Sequence, residues 1–244
     1  MIFPKNIIGP KFEKGDLISF QFDGAELIFR TPIIPINDQN IDEACPLKNF
    51  HGVNTSDWST NDQDRPYIQL SQQLWCYENA RTLDDIAQSS LYMSLIECTQ
   101  QDSERNTLLI PESFEELMLS WMDYSFANHV KPEDRMPNGG STSNPYKLKP
   151  IEKQHLNWLS VQVRFVPEAA PCPMCIIPIN NRFVLMTSLE IESLHYAGRT
   201  NPYSNELLKQ FEFDLFEDFL SHIKVEYTPE TIAQINLLNN KTPA

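Results

Sequence analysis

Glycine is scarce in this chain, with only 7 residues among 244, and the motifs that depend on it are missing. Neither G-x-x-x-x-G-K-[ST] nor G-x-G-x-x-G occurs, so the usual loops that cradle a nucleotide phosphate are excluded. The patterns G-x-S-x-G and H-E-x-x-H do not occur either. The sequence therefore offers no familiar signature of a hydrolase, a zinc protease or a nucleotide-binding enzyme.

The chain also lacks a long apolar run and a recognisable targeting segment. The opening residues Met1–Lys5 contain no apolar core of the length that a signal peptide needs, and no later run approaches the thickness of a bilayer. Five cysteines, an odd number, are scattered along a chain too long to need disulfides. We therefore expect a cytoplasmic protein in which most cysteines are small buried hydrophobic residues.

The chain is also poor in basic residues, with 19 against 33 acidic ones, and its net charge is −14. A surface of this sign repels phosphate, which argues against nucleic acid and anionic membrane as ligands. The natural counterpart of such a surface is a cationic protein.

Two hairpins are predicted from turn residues between alternating apolar positions. Asp23-Gly24 joins the strand-like stretches 17–22 and 25–30, because a two-residue turn of this kind needs positive φ. Asn180-Asn181 joins the stretches 175–179 and 183–191 in the same way. Both hairpins favour an α+β fold with one mainly antiparallel sheet, packed on one side by amphipathic helices.

Three helices are indicated by caps and by apolar residues at helical spacing. Ser113-Phe114-Glu115-Glu116 forms a capping box that opens a helix to about Ala127. A longer helix begins at Ser204 and has a buried stripe that runs to Ile223. Thr228-Pro229 predicts a short terminal helix through Leu238.

Other stretches are less distinctive. The apolar runs 67–77 and 91–98 fit either strands or buried helix, and Thr82 with Asp85 suits a short helix between them. A half-buried strand is expected at 159–165, and the polar stretch 32–65 is expected to be a long irregular excursion.

The best candidate domain boundary lies at 131–150, which is rich in proline, glycine and serine and has little to bury. It divides the chain into an N-terminal half, 1–130, and a C-terminal half, 151–244. Whether the halves share one core is left open by the sequence.

The pentapeptide Ile-Ile-Pro-Ile-Asn occurs twice, at 33–37 and 176–180. Duplication of a unit that begins with strands and ends with a helix is one explanation. The other is the chance reuse of an edge strand that ends in a turn. Because the flanking residues do not match, the sequence favours chance reuse.

Cys172-Pro173-Met174-Cys175 is the single C-x-x-C in the chain. A redox pair needs the motif at a helix N-terminus, whereas strand-like residues follow it here. Zinc would need two further ligands, for which Cys45, His51 and Cys98 are the available candidates. We expect buried thiols and no cofactor.

His51, in the long polar stretch with Asp57 and Ser59 nearby, is the one candidate general base. Neighbouring carboxylates such as Glu217 and Asp218 point about 100° apart on a helix, so they do not converge on one proton or metal. The sequence therefore favours a protein without catalytic residues, although enzyme chemistry at His51 or at the cysteine pair stays an alternative.

Acidic residues on the predicted helices are the candidate partner-binding site. On any single helix, such residues more commonly form only a solvated face. The alternative is a surface that captures basic side chains, joined by aromatic anchors from the long polar stretch. The candidate residues are Glu206, Asp214, Glu217, Asp218, Trp58 and Tyr67, with Glu112, Glu115 and Asp123 of the earlier helix as further members of the surface.

In general character, an acidic and motif-poor protein of this size is similar to the bacterial immunity proteins, a resemblance that covers no particular residues. It implies an inhibitor that neutralises a cognate toxin by occluding it, which is our leading hypothesis. A secretion chaperone or adaptor that exposes an apolar groove is the alternative within binding proteins. A hydrolase or metal-dependent enzyme is the alternative outside them.

Overall fold

The described part of the chain folds into two antiparallel sheets and three helices in the computed structural model. The structure describes residues 7–8, 12–22, 24–30, 59–60, 66–79, 85–98, 108–127, 148–153, 156–163, 172–193 and 205–239. At this coarse level the predicted α+β fold is confirmed.

The larger sheet has eight strands, and two of them hold only two residues each. Its order is β1-β5-β6-β10-β9-β8-β7, with β4 pairing along β5. The strands are β1 (Ile7–Ile8), β4 (Ser59–Thr60), β5 (Pro66–Asn79), β6 (Asp85–Glu97), β7 (Lys149–Lys153), β8 (Leu156–Val163), β9 (Cys172–Pro178) and β10 (Phe183–Ser193). The ambiguous runs at 67–77 and 91–98 are therefore strands, and β6 begins at Asp85.

The centre of the larger sheet joins the two parts of the sequence. Strand β6 pairs with β10 over eleven consecutive positions, from Phe183 opposite Glu97 to Ser193 opposite Ala87. Strand β9 pairs with the other side of β10. In the turn between β9 and β10, the side-chain oxygen of Asn180 accepts hydrogen bonds from the backbone N–H groups of Arg182 and Phe183, both at 2.8 Å.

The smaller sheet has three strands in the order β11-β3-β2. These are β2 (Leu17–Phe22), β3 (Ala25–Arg30) and β11 (Lys224–Tyr227). Phe22 lies opposite Ala25, so two residues form the turn, and Gly24 there has φ of +82°. This is the left-handed conformation for which glycine is suited.

The helices have clear sequence signals at their starts. Helix α1 (Pro111–Ala127) begins two residues before the predicted capping box, because proline suits the first helical position and the N–H of Phe114 donates to the carbonyl of Ile110 at 2.9 Å. Helix α3 (Pro229–Asn239) is capped by Thr228, whose hydroxyl accepts from the N–H of Thr231 at 3.3 Å.

Helix α2 (Asn205–Ser221) is shorter than predicted at its C-terminal end. The chain turns at His222 and continues as β11, which pairs with β3. Ile223, predicted as the last residue of the helical stripe, is buried in that turn instead. None of the three described helices is long and apolar enough to span a membrane.

The core consists of two clusters on opposite faces of the larger sheet. Alternate residues of β10 show this, because Leu185 belongs to a cluster with α2 and the smaller sheet, while Val184 belongs to a cluster with α1. The expectation that both helices pack on one side was therefore wrong. The predicted single sheet also differs from the structure, since the first hairpin lies in the smaller sheet and the second in the larger one.

Several predicted features lie wholly or partly outside the described residues. They are the short helix near Thr82, most of the excursion 32–65, most of the connection 131–150 and the first copy of the repeated pentapeptide, 33–37.

Candidate interaction surface

The outward side of α2 presents part of the predicted acidic surface. Leu215 and Phe219 point into the core, so helical geometry turns positions 210, 214 and 217 the other way. Gln210 and Glu217 are exposed and Asp214 is half-buried. The amide of Gln210 donates to the Asp214 carboxylate at 2.8 Å, which orients that carboxylate on the helix surface.

Asp218 lies at the margin of this surface, next to the turn that ends α2. Its carboxylate is 3.8 Å from the imidazole of His222. Burial raises the pKa of Asp218 above its ordinary 3.8; the attraction of His222 acts in the opposite direction, and nearby Glu13 raises the pKa further. The His222 ring also lies 6.2 Å from the ring of Phe12, so this histidine belongs to the packing of the turn.

Negative charge is concentrated on the helices. The three described helices contain ten acidic residues and one basic residue, a net charge of −9 out of −14. Not every acid is available to a partner, since Glu212 of α2 is buried. Glu112 is exposed on α1, which covers the opposite face of the larger sheet. The acids of α1 and α2 thus form two separate surfaces.

The structure does not bring the predicted aromatic anchor Tyr67 to the acidic side of α2. Tyr67 lies in β5, half-buried against the cluster that contains α1. Trp58 lies outside the described residues, and Glu206 falls in the first turn of α2. Of the six predicted partner-binding residues, Asp214, Glu217 and Asp218 are the ones that the described side chains place together.

The cysteines and histidines that were candidate metal ligands do not form a cluster in the described part of the chain. Cys175 is buried among residues facing α2 and the smaller sheet, whereas Cys98 is buried in the cluster with α1. The sheet therefore separates these two thiols. No group of three or more His, Cys, Asp or Glu residues that could hold a metal ion occurs among the residues described. Cys172 begins β9, and His51 lies outside the described residues.

A polar groove that sequence reasoning missed lies where two turns meet the start of α3. It has a volume of about 520 Å³ and is formed by the turn at Gly24, the turn at 180–182 and the first residues of α3. Arg182 in this groove donates through Nε to Glu97 at 2.6 Å, and its guanidinium lies 5.1 Å from the centre of the Phe183 ring. The two turns were predicted, but nothing in the sequence placed them side by side.

No family model matches the chain, and no curated protein or solved structure was found to be similar to it. Its oriented carboxylates and separate acidic surfaces suit the binding of basic groups.

Proposed function

We propose that this chain is a binding protein without catalytic activity, an immunity-type inhibitor that captures and occludes a cationic toxin. The observation that carries the proposal is the concentration of acidic residues on the helices that form the outer layers of the fold. Charge placed on outer layers acts on a partner before contact is made.

The proposed mechanism has two steps. The acidic field first steers the partner, an effect that reaches about one Debye length, roughly 8 Å at physiological ionic strength. The carboxylates of Asp214, Glu217 and Asp218 then contact basic side chains of the toxin. Charged groups at such an interface contribute more to the rate of association and to specificity than to affinity.

The first experiment identifies the partner and tests its activity. The chain is used to capture proteins from its native cells at moderate salt, and a bound protein is identified and purified. We expect one stoichiometric basic protein that arrests growth when expressed alone and is harmless when this chain is co-expressed. A captured protein that has no effect on growth would contradict the role as a toxin inhibitor.

The second experiment uses the two acidic surfaces as test and control. Two triple variants each change the net charge from −14 to −11. The test variant carries Asp214→Asn, Glu217→Gln and Asp218→Asn on α2, and the control carries Glu112→Gln, Glu115→Gln and Glu116→Gln on α1.

We expect the α2 variant to slow association with the purified partner by about tenfold at low salt, as expected for lost steering. The α1 variant should slow it much less. Equal effects would mean that net charge matters and the α2 surface does not. Association as fast in 1 M salt as in dilute buffer, in the unmodified protein, would exclude steering altogether.

A chaperone is the second candidate function, and exposed apolar side chains on α3 favour it. Ile232 is 48% and Leu237 61% exposed, although both are large hydrophobic residues. If the chain holds unfolded clients, capture should yield many apolar proteins, and replacing Ile232 and Leu237 by serine should abolish it. If the chain instead inhibits one toxin, the variant should still capture that toxin.

A further inference from the structure

The outer edge of β2 ends the smaller sheet, and no described strand pairs with it. The sheet has the order β11-β3-β2, so β3 occupies only one side of β2. Phe22 and Ala25 close a two-residue turn and therefore exchange backbone hydrogen bonds. Alternation along β2 then directs the backbone N–H and C=O groups of Leu17, Ser19 and Gln21 away from β3. These outward groups are the ones that an added strand would bind.

The other described sheet edges have features that hinder pairing with a further strand. At one edge of the larger sheet, β7 contains Lys149, Pro150 and Lys153, and proline has no N–H to donate. At the other edge, β1 and β4 hold two residues each, and β5 behind them has two shifts in its register with β6. In the smaller sheet, β11 has four residues, of which Lys224 and Glu226 are charged. Natural proteins use such features to prevent edge-to-edge association.

Strand β2 has none of these features. Its six residues, Leu-Ile-Ser-Phe-Gln-Phe, include no proline and no charged residue. Its register with β3 runs without a shift from Leu17 opposite Arg30 to Phe22 opposite Ala25. Leu17, at the start of the strand, is 60% exposed although it is a large hydrophobic residue. The edge of β2 is therefore regular, uncharged and suited to pairing.

The distribution of charge indicates which strand fits this edge. The three strands of the smaller sheet are neutral, because their acidic and basic residues balance: Glu26, Arg30, Lys224 and Glu226. A second copy of the chain would be repelled by the acidic helices but not by this sheet, whereas a cationic segment would find no excess of acid here. Antiparallel pairing about Ser19 places Leu17 opposite Gln21 of the second copy, so that uncharged residues meet and every outward backbone group is used.

We propose that two copies of this chain pair through β2, antiparallel about a two-fold axis at Ser19, and form one continuous six-stranded sheet. The contact is isologous and uses the β2 edge of both copies, while the charged β11 strands are left at the ends. The product is therefore a closed dimer and not a fibre. Because a single pair of short strands forms the contact, the dimer is reversible. It does not involve α2, so it is independent of the proposed capture of a cationic toxin.

Sedimentation equilibrium tests the dimer in the unmodified protein, in Gln21→Pro and in the control Gln21→Ala. The proline removes an N–H that β3 does not use, whereas alanine removes the same side chain and keeps the N–H. We expect the mass of the unmodified protein and of the control to rise with concentration to twice that of one chain. Gln21→Pro should associate at least about tenfold more weakly, because the symmetric pair loses two hydrogen bonds. A monomer up to millimolar concentration, or equal association of the two variants, would overturn the proposal.

Amide hydrogen exchange of the unmodified protein keeps the proposal testable if Gln21→Pro does not fold. The N–H groups of Ile18 and Phe20 face β3 and should exchange slowly in dilute and in concentrated samples. Those of Leu17, Ser19 and Gln21 should exchange slowly only in the concentrated sample. Slow exchange of these three at both concentrations would mean that another segment of the same chain covers the edge, and fast exchange at both would mean that no strand pairs there. Either result contradicts the dimer.

Discussion

The two faces of the larger sheet are covered in different ways. One face is covered by α2 together with the smaller sheet, and its cluster contains seven of the phenylalanines whose side chains are described. Their rings contact one another across elements, as Phe12 and Phe219 do with centres 5.2 Å apart. The other face is covered by α1, and among the described side chains its cluster contains a single phenylalanine, Phe114.

Hydrogen bonds also connect the layer that α2 and the smaller sheet form to its neighbours. The carbonyl of Gly24 in the smaller sheet accepts from the N–H of Thr228 at 3.0 Å and from the hydroxyl of Thr231 at 2.9 Å. Tyr227 connects β11 to Pro178 of the larger sheet. We infer that this layer unfolds together with the sheet, while α1 is the layer more able to open locally.

The largest expected effect comes from comparing one phenylalanine on each face. Phe219→Ala removes a fully buried ring from α2, and Phe114→Ala removes a buried ring from the first turns of α1. Replacing a buried phenylalanine by alanine lowers the free energy of unfolding by about 3–5 kcal/mol. We expect a loss near the top of this range for Phe219→Ala and near the bottom for Phe114→Ala. Urea denaturation gives both values. A larger loss at Phe114 would reverse the comparison.

Gly24→Ala tests how firmly the smaller sheet is attached to α3. The new Cβ would lie 2.6 Å from the hydroxyl oxygen of Thr231, and alanine disfavours the φ of +82°. We expect a loss of about 1–3 kcal/mol in the free energy of unfolding. A double-mutant cycle with Thr231→Ala separates the clash from the backbone strain. A loss near zero would mean that the turn moves freely relative to α3.

Tyr227→Phe removes the hydrogen bond that the Tyr227 hydroxyl of the smaller sheet donates to the carbonyl of Pro178 in the larger sheet. Removing its hydrogen bond should cost about 0.5–1.5 kcal/mol at neutral pH. Because burial raises the folded pKa from the ordinary 10.0 to about 12, the folded state holds this proton more tightly. The stability of the unmodified protein should therefore fall, relative to Tyr227→Phe, as the pH rises from 10 towards 12. Thermal unfolding over this range checks the trend, and parallel curves would contradict it.

Asp218→Asn should have the smallest effect and the opposite sign. Since burial raises the pKa of this carboxyl, its charged form is disfavoured in the folded state. We expect the variant to be more stable at neutral pH by less than about 0.5 kcal/mol, because the lost attraction to His222 offsets part of the gain. The difference should shrink as the pH falls through 3.8 and vanish well below it, where the carboxyl is protonated in both states. A variant less stable at neutral pH would show that the pairing with His222 outweighs burial.

Local signals in the sequence predicted the local structure well. The turn at Asp23-Gly24 gave the first hairpin, and the Thr228-Pro229 pair gave the start of α3, because each depends on the conformation of one or two residues. Strand β11 was missed since its four residues follow directly on a helical pattern and pair with β3, far away in the sequence.

The arrangement of the layers could not be predicted in the same way. Period-two alternation places Val184 and Leu185 on opposite faces of β10, but it does not say which helix covers which face. For the candidate surface, helical spacing accounts for the exposed position of Glu217, which lies opposite the buried Leu215 and Phe219. The polar groove could not be predicted because Gly24 and Arg182 lie in turns of different sheets and come together only after the sheets pack.

The long ladder between β6 and β10 has a consequence for how this protein reaches its native state. The paired residues are 86 to 106 positions apart in the chain, so the loop must close before any of those contacts forms. Proteins dominated by such distant pairings fold slowly, in milliseconds to seconds. Until the ladder closes, β6 and β10 each present an open edge, and newly made chains are then at their most prone to aggregate.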